Sequence, residues 1–350
     1  MRKVKSLTRL QLFLRLKFVG DIKKKTISVI SPCYNEEKGI LECYGTIRKL
    51  FAEQLPDYNL EHIFCDNAST DRTVELLKEV ARDDKSVKII VNSRNFGILN
   101  NTYNGVLNAT GDAIVLFMPV DLQDPPELIV EFVKHWESGY EIVYGIRAQR
   151  EENFFLAAAR KAYYKLLSRI TYLDYPPNVG DFQLVDKRVL AAMKRIDDAQ
   201  PFMRLMTFEC GFRSIGVEYT WQARKHGFSR NSLARLFEQG LTGIISFSTA
   251  PIRLGLLAGG VLAAGSLMYA FLILFLVLFG WTGAQDGIPT VIVAVFFFAG
   301  VQLFFLGVIG QYVPAIFNQV RRKPLIVERE RINFDCEAPA EPADALRKAA

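Results

Sequence analysis

The stretch TISVISPCYNEE, residues 26–37, decides the predicted fold. Its first seven residues are mostly β-branched or apolar, which indicates a buried strand, and its polar end CYNEE precedes a helical pattern that starts at about residue 37. Similar runs follow at intervals, separated by further helical patterns: LEHIFCD (60–66), VKIIVNS (87–93), AIVLFMP (113–119) and EIVYGIR (141–147). This alternation of strands and helices predicts a mostly parallel sheet of the α/β class.

Polar clusters follow each of these five runs. They are CYNEE, DNASTD, SRN, DLQD and RAQR. In open α/β sheets, ligands bind beyond the carboxyl ends of the strands. Any one cluster is compatible with a simple turn, but five together predict a binding site along one edge of the sheet.

The fourth cluster lies in FMPVDLQDPPE, residues 117–127. Carboxylate and amide oxygens suit Mg²⁺ or Mn²⁺, so Asp121, Gln123 and Asp124 are candidate metal ligands. The metal would neutralise charge on a leaving diphosphate. Arg147 and Arg150, after the next strand, are suited to phosphate oxygens. The alternatives are a turn for the D-x-x-D sequence and solvated surface arginines.

Two long uncharged runs, Leu254–Gln285 and Gly287–Val320, predict two transmembrane helices at about 252–280 and 288–318. Each run exceeds the roughly 20 residues that a helix needs to cross a bilayer. The net charge of +6 does not indicate nucleic acid, because basic residues flank the apolar runs, as at Arg253 and 321–323. The positive-inside rule therefore places the bulk of the chain and both termini on the cytoplasmic side of the inner membrane.

Three further segments have their own patterns. Residues 1–25 are basic and predict an amphipathic segment on the membrane surface, with a disordered cationic tail as the alternative. Residues 230–250 carry apolar side chains at spacings of three and four, which predicts an amphipathic interfacial helix; core packing is the alternative. Residues 321–350 predict a cytoplasmic tail with a disordered end. The five cysteines show no paired spacing, which indicates a reducing compartment and no structural zinc.

The ordered motifs of the chain resemble those of a known family. They are SPCYNEE, CDNASTDRT, SRNFG, DLQDPPE, GIRAQREE, VGDFQLVDKRV and RKHGFS, followed by the predicted two-span hairpin. In this order they are similar to the family 2 glycosyltransferases of the polyprenyl-phosphate type, the dolichol-phosphate mannose synthase and bactoprenol glucosyltransferase group. The resemblance implies a GT-A catalytic domain over residues 26–229 and a homo-oligomer. It also implies inverting transfer of a sugar from a nucleotide sugar, with UDP favoured, to undecaprenyl phosphate at the cytoplasmic membrane face, for cell-surface glycan synthesis or modification.

The resemblance also implies roles for individual residues. The nucleotide-sugar site would comprise Pro32, Tyr34, Asn35, Glu36, Asp66, Asn95, Gly97 and Asp121, with Asp66 reading the base. Asp121 would also be a metal ligand, as the second aspartate of the family's D-x-D. Asp181 matches the catalytic carboxylate of a GDF motif, and Asp121 would be the second catalytic residue. The basic residues near the phosphates would be Arg147, Arg150, Arg224 and Arg230.

The chain departs from the family pattern where the D-x-D begins, because Pro119 stands there and offers no side-chain ligand. Arg230 stands in place of the usual lysine, and the loop after Asn95 reads FGILNNTYNG rather than a lysine-bearing form. Two alternatives remain open. One is a processive polysaccharide synthase, although the chain has WQAR at 221–224 rather than Q-x-x-R-W. The other is a nucleotide-binding membrane protein that has lost catalysis.

Overall fold

The computed structural model describes residues 24–149, 176, 179–196, 198, 201–220, 250–279, 288–321 and 323–334. Its strands are β1 (Thr26–Cys33), β2 (Asn59–Asp66), β3 (Val87–Asn92), β4 (Ala113–Val115), β5 (Ile142–Gln149), β6 (Val179–Asp186), β7 (Ser214–Thr220) and β8 (Glu328–Ile332). Its helices are α1 (Ile40–Gln54), α2 (Thr73–Asp83), α3 (Ile98–Leu107), α4 (Leu128–Glu137), α5 (Lys187–Ile196), α6 (Met203–Glu209), α7 (Ala250–Leu278) and α8 (Ile288–Arg321).

The described strands form one sheet in the order β7-β5-β6-β4-β1-β2-β3-β8. Strands β6 and β8 run antiparallel to their neighbours, and the other neighbouring pairs are parallel. The carboxyl ends of β1–β5 and β7 therefore share one edge with the amino ends of β6 and β8. The mostly parallel α/β sheet that the sequence predicts is confirmed, and the five predicted strand ends meet at this edge.

The core lies on both faces of the sheet, which explains why its central strands are almost continuously apolar. Helices α1, α2 and α4 cover one face and pack against residues such as Ile27, Phe64 and Phe182. Helices α3, α5 and α6 cover the other face, around Ile30, Ile90 and other buried apolar residues. The sheet is thus packed on both faces, and the loops at its edge extend from strands that are held in the core.

Two structural features differ from the sequence-based expectations. Strand β4 covers Ala113–Val115 only, shorter than the predicted run. The expected cytoplasmic tail contains β8, which pairs with β3. The predicted surface segment up to residue 23 and the amphipathic helix at 230–249 lie outside the described residues.

The helices α7 and α8 contain 29 and 34 residues. Many of their apolar side chains are exposed, including Leu257, Met268 and Leu303. Within the part of the chain that the structure describes, one segment is long and apolar enough to cross a membrane: Phe297–Arg321 of α8, with a mean hydropathy of 1.6. In α7 the corresponding apolar stretch is shorter, Leu257–Ser266. The predicted hairpin of two spans is therefore not confirmed and stays a prediction.

A glycine in α3 sets the approach of this helix to the sheet. A Cβ added at Gly105 would overlap the sulfur of Cys65 and lie 2.8 Å from Cγ2 of Ile30. We therefore expect Gly105→Ala to lower the free energy of unfolding by about 1–3 kcal/mol, because the extra methyl overpacks the core. Chemical denaturation of the detergent-solubilised protein measures this change.

The matched control is Gly45→Ala in α1, where an added Cβ would have no neighbour within 4 Å. Alanine favours a helix by up to about 1 kcal/mol over glycine, so this variant should be as stable as the wild type or more stable. Equal effects of the two substitutions would contradict the close packing of α3 on the sheet.

Candidate active site

The loops after β1 and β2 are joined by reciprocal hydrogen bonds. The backbone N–H of Asn35 donates to Oγ of Ser69 at 2.9 Å, and the N–H of Thr70 donates back to Oδ1 of Asn35 at 2.8 Å. The N–H of Glu36 donates to Oγ1 of Thr73 at 2.9 Å. Asn35 has a φ of 56°, a left-handed conformation that asparagine tolerates better than most residues. Two of the predicted nucleotide-binding loops thus form one unit.

Beside them, Pro32 is buried at the end of β1, and Tyr34 is exposed. Asp66 ends β2 with its carboxylate buried, and it accepts a hydrogen bond from the N–H of Ser69 at 3.0 Å. Burial raises the pKa of the Asp66 carboxyl, while hydrogen bonds from Ser69 and Ala68 and the charge of Arg329 act in the opposite direction. Asp66 therefore provides a fixed hydrogen-bond acceptor at the end of β2, where the two loops meet.

A chain of asparagine side chains, here called the asparagine relay, orders the loop after β3. Asn67 donates to Oδ1 of Asn95 at 3.0 Å, and this oxygen also accepts from the N–H of Gly97 at 2.9 Å. Asn92 donates to Asn67 at 3.2 Å and to Asn101 at 2.8 Å. Gly97 has a φ of 87°, which favours glycine there. The relay brings the predicted residues Asn95 and Gly97 next to the loop after β2.

The loop after β4 carries Asp121 and Gln123 beside the loop after β1. Oδ1 of Asp121 accepts from the N–H of Gln123 at 3.3 Å. A Cβ added at Gly39 would lie 3.6 Å from Cγ1 of Val120, so the two loops are in contact. Burial raises the pKa of the Cys43 thiol to about 12, and the negative charges of Asp121 and Glu36 both add to this shift. The contact between Gly39 and Val120 thus sets the loop with Asp121 beside the loop that follows β1.

Asp124 is 1% exposed and is held by protein partners. Nη2 of Arg147 donates to both of its carboxylate oxygens at 3.2 Å. The hydroxyl of Tyr219 also donates to Asp124 and accepts from Nε of Arg147 at 3.1 Å. Burial raises the pKa of the Asp124 carboxyl, although the Arg147 charge counteracts this. Both oxygens of Asp124 thus have protein partners, and its role as a metal ligand stays a prediction. Arg147 orders this buried network, and its role at a phosphate remains a prediction.

The predicted catalytic residue Asp181 lies at the start of β6 and pairs with Arg204. Nε of Arg204 donates to Oδ1 at 3.1 Å, and Nη2 donates to Oδ2 at 2.6 Å. Burial acts to raise the pKa of the Asp181 carboxyl, but the charge and hydrogen bonds of Arg204 outweigh it, so the pKa is lowered. Asp181 is therefore held ionised at neutral pH.

Buried Gln183 holds the backbone of Arg204. Its Nε2 donates to the carbonyls of Gly180 at 3.1 Å and Arg204 at 3.2 Å, and its Oε1 accepts from Thr207 at 2.8 Å. These bonds fix α6 on β6 and set the distance between Asp181 and Arg204. The sequence analysis missed Arg204, Gln183 and Tyr219. The only signal for Gln183 was its place in the GDFQ stretch.

The structure brings Asp66, Asn95, Asp121 and Asp181 to the same edge of the sheet. Of the predicted basic residues, Arg150, Arg224 and Arg230 lie outside the described residues. Among the residues described, no group of three or more His, Cys, Asp or Glu side chains is placed to hold a metal ion. A metal at Asp121 would therefore need ligands from elsewhere, such as a bound diphosphate.

Comparison with known proteins shows the family of the chain. The family model "Glycosyl transferase family 2" matches residues 28–193. An uncharacterized glycosyltransferase of Bacillus subtilis (strain 168), YkcC, is 36% identical over 309 residues, which are 88% of this chain and 94% of that protein. The chain belongs to glycosyl transferase family 2.

This glycosyltransferase is also similar to a bactoprenol glucosyl transferase of Shigella phage SfX. The two are 32% identical over 307 residues, which are 87% of this chain and 99% of that protein. A solved glucosyl-3-phosphoglycerate synthase of Mycobacterium tuberculosis has 18% identity and a TM-score of 0.43, over 63% of this chain and 76% of that one. The family model ends before Arg204, Tyr219 and β8, so these parts of the glycosyltransferase lie beyond the matched residues.

Asp124 and Asp121 should respond differently to the same substitution. Asp124→Asn removes the charge that balances buried Arg147, so we expect a loss of about 3 kcal/mol in the free energy of unfolding. Asp121→Asn alters a half-buried loop carboxylate and should change it by about 0.5 kcal/mol or less. Urea denaturation of both variants provides the measurement. Equal stability losses would contradict the separate roles that the contacts indicate.

Proposed function

We propose that this glycosyltransferase transfers a sugar, with inversion, from a UDP-linked donor to a polyprenyl phosphate in the membrane. The observation that carries the proposal is the similarity to a bactoprenol glucosyl transferase over 99% of that protein, including its C-terminal part. The long helices after the catalytic sheet, with exposed apolar side chains, support a lipid acceptor. The product would be a lipid-phosphate sugar for cell-surface glycans.

The donor nucleotide would bind in the unit formed by the loops after β1, β2 and β3. Asp66 offers a buried carboxylate as acceptor for N–H groups of a base, and the interlocked loops around Asn35 fix its surroundings. The ribose and diphosphate would lie between two parts of this unit. One is the segment with Pro32, Tyr34 and Glu36, and the other is the exposed loop at Asn95 and Gly97. A unit held by its own hydrogen bonds loses little entropy when a nucleotide binds.

The residues around Asp121 fit a Mg²⁺ or Mn²⁺ ion that is shared with the donor. Asp121 supplies a carboxylate and Gln123 an amide oxygen, both of which are hard ligands that these ions accept. Pro119 supplies no side-chain ligand, and both oxygens of Asp124 face Arg147. One carboxylate and one amide suit an ion whose remaining ligands are water and diphosphate oxygens. When bound, the ion would neutralise charge on the leaving nucleotide.

The chemistry requires little proton transfer, because a phosphate acceptor is already anionic at neutral pH. A phosphate oxygen attacks the anomeric carbon, the bond from that carbon to the diphosphate breaks, and UDP leaves with the bonding electrons. Asp181, held ionised by Arg204, would stabilise positive charge on the sugar ring rather than remove a proton. The guanidinium of Arg204, with five N–H donors, would orient the acceptor phosphate beside it.

The helices α7 and α8 would anchor the enzyme as a two-span hairpin, with the catalytic sheet and both termini in the cytoplasm. At 1.5 Å per residue they reach about 44 Å and 51 Å, more than the roughly 30 Å of a bilayer core. The uncharged runs and their basic flanks support this topology. Anchoring would keep the active site beside a substrate that cannot leave the bilayer.

Purified enzyme, incubated with a radiolabelled UDP-sugar, undecaprenyl phosphate and Mg²⁺, should give a chloroform-soluble labelled lipid. Asp181→Asn should lower the rate by about 100-fold or more, since it removes a charge that stabilises the transition state. The matched control is Glu53→Gln on the exposed surface of α1, which should keep wild-type activity. Absence of labelled lipid with every nucleotide sugar tested would overturn the proposed function.

Metal removal and Pro119 test the shared ion site. EDTA should abolish transfer, and Mg²⁺ or Mn²⁺ should restore it. Pro119→Asp adds the missing carboxylate while keeping the backbone carbonyl that accepts from Leu122 at 3.1 Å. It should tighten Mn²⁺ binding in the presence of UDP by roughly tenfold, about 1.4 kcal/mol, as measured by electron paramagnetic resonance. Pro119→Ala removes the ring without adding a ligand and should leave affinity unchanged. Equal Mn²⁺ affinity in all three proteins would place the ion elsewhere.

A further inference from the structure

The strand that follows α8 joins the sheet beside the loop after β3, which carries Asn95 and Gly97. β8 starts seven positions after the end of α8 and pairs antiparallel with β3. It covers the edge that β3 would otherwise expose to other chains. The pairing is interrupted by a register shift between Val91 and Asn92, the last residues of β3. The irregular part of β8 thus lies where the loop with Asn95 and Gly97 begins.

Val327, directly before β8, and Glu328, the first residue of β8, hold the loop after β3 and the helix α3 that follows it. The N–H of Ser93 donates to the carbonyl of Val327 at 2.9 Å. The side chain of Asn104 in α3 donates to Oε1 of Glu328 at 2.6 Å. Glu328 also pairs with Arg331, whose Nη2 lies 2.9 Å from Oε1. Glu328 is therefore held within its own strand and binds α3 from the edge of the sheet.

These contacts adjoin the asparagine relay. Asn92 pairs with Glu328 across β3 and β8, and its amide donates to Asn67 and Asn101. Asn101 and Asn104 stand on the same helix, which begins directly after Gly97. A displacement of α3 would move Asn101 at one end of the relay and, through Asn92 and Asn67, would disturb Asn95 at the other end. By holding Asn104, Glu328 thus restrains the loop at Asn95 and Gly97.

The charges of β8 also reach the end of β2. The Cys65 thiol has its pKa raised by burial first and then by the negative charge of Glu328. The positive charge of Arg329 is among the influences that favour the ionised form of Asp66. The charges at the start of β8 thus act on the end of β2, which the hydrogen bond from Asn101 to the carbonyl of Cys65 links to α3.

The far half of the same strand makes contacts of a different kind. Glu330 pairs with Lys78 of α2 at 2.6 Å, on the other face of the sheet. Asn333, directly after the strand, donates to the carbonyls of Ala81 and Val87 at 2.7 Å and 2.8 Å. These bonds dock the strand, but they involve neither the loop after β3 nor α3. Glu330 therefore serves as an internal control for Glu328.

We propose that Glu328 is a positioning residue for the donor nucleotide, which acts by holding Asn104 and thereby the loop at Asn95 and Gly97. The inference rests on the proposed function, since it assigns the donor to that loop. On this proposal, β8 contributes to the donor site although it follows α8 in the chain. A nucleotide binds more weakly to a loop that it must first order.

The test measures UDP binding by isothermal titration calorimetry and steady-state kinetics on the full-length enzyme in detergent. Glu328→Ala should weaken UDP binding and raise KM for the nucleotide sugar about tenfold, with kcat within about twofold, because a hydrogen bond to a charged group is lost. Glu328→Gln retains an oxygen that accepts from Asn104 and should stay within about threefold of the wild type. Glu330→Ala, with a comparable shift in Tm, should leave KM unchanged.

A double-mutant cycle separates positioning from general destabilisation. Asn104→Ala should raise KM as Glu328→Ala does, and the double variant should show no further rise, because both remove the same contact. Additive effects, or equal effects of Glu330→Ala and Glu328→Ala, would overturn the inference. Wild-type UDP affinity in Glu328→Ala would overturn it while leaving the proposed function intact. Failure of the wild-type enzyme to bind UDP would overturn both.

Discussion

The parallel register between β1 and β2 is the constraint on which the active site depends. It sets Cys33 opposite Asp66, so that the two strands end at the same level. Only then do the backbone groups of residues 35 and 36 meet the side chains of Ser69 and Thr73. A shift of one residue would separate buried polar side chains that are hydrogen-bonded across the two strands, such as Ser31 and His62. The meeting of the two loops is thus a consequence of how the strands pair in the core.

Charge pairing organises the other half of the site. Asp124 with Arg147 and Asp181 with Arg204 are two acid–arginine pairs, and Arg147 and Asp181 stand on the neighbouring strands β5 and β6. The first pair is nearly closed to solvent and serves to fix β5 against β7 and the loop after β4. The second is more accessible, with side chains 22% and 27% exposed, and in the proposed mechanism this exposure lets it contact the substrates. The two ion pairs thus differ mainly in their burial.

Much of this arrangement follows from sequence pattern, and the rest depends on contacts between distant residues. The β-branched runs and polar strand ends predict the sheet and the edge where Asp66 and Asp121 meet, whereas Asp181 is implied only by the family resemblance. The partner of Asp124 is not predictable in this way, because Tyr219 lies 95 residues away and joins it only through the pairing of β5 with β7. Arg204 has no motif around it. β8 reads ERERI, a charged sequence without the apolar alternation that indicates a strand.

A lipid acceptor gives a common purpose to two parts of the molecule. One is the sheet edge with the candidate active site, and the other is the pair of long apolar helices. The most direct measurement is mass spectrometry of the lipid recovered after the purified enzyme has acted on undecaprenyl phosphate and a nucleotide sugar. We expect the lipid to gain the mass of a single sugar residue, with no further additions at longer times. An unchanged lipid mass with every donor, or a ladder of successive additions, would contradict the account.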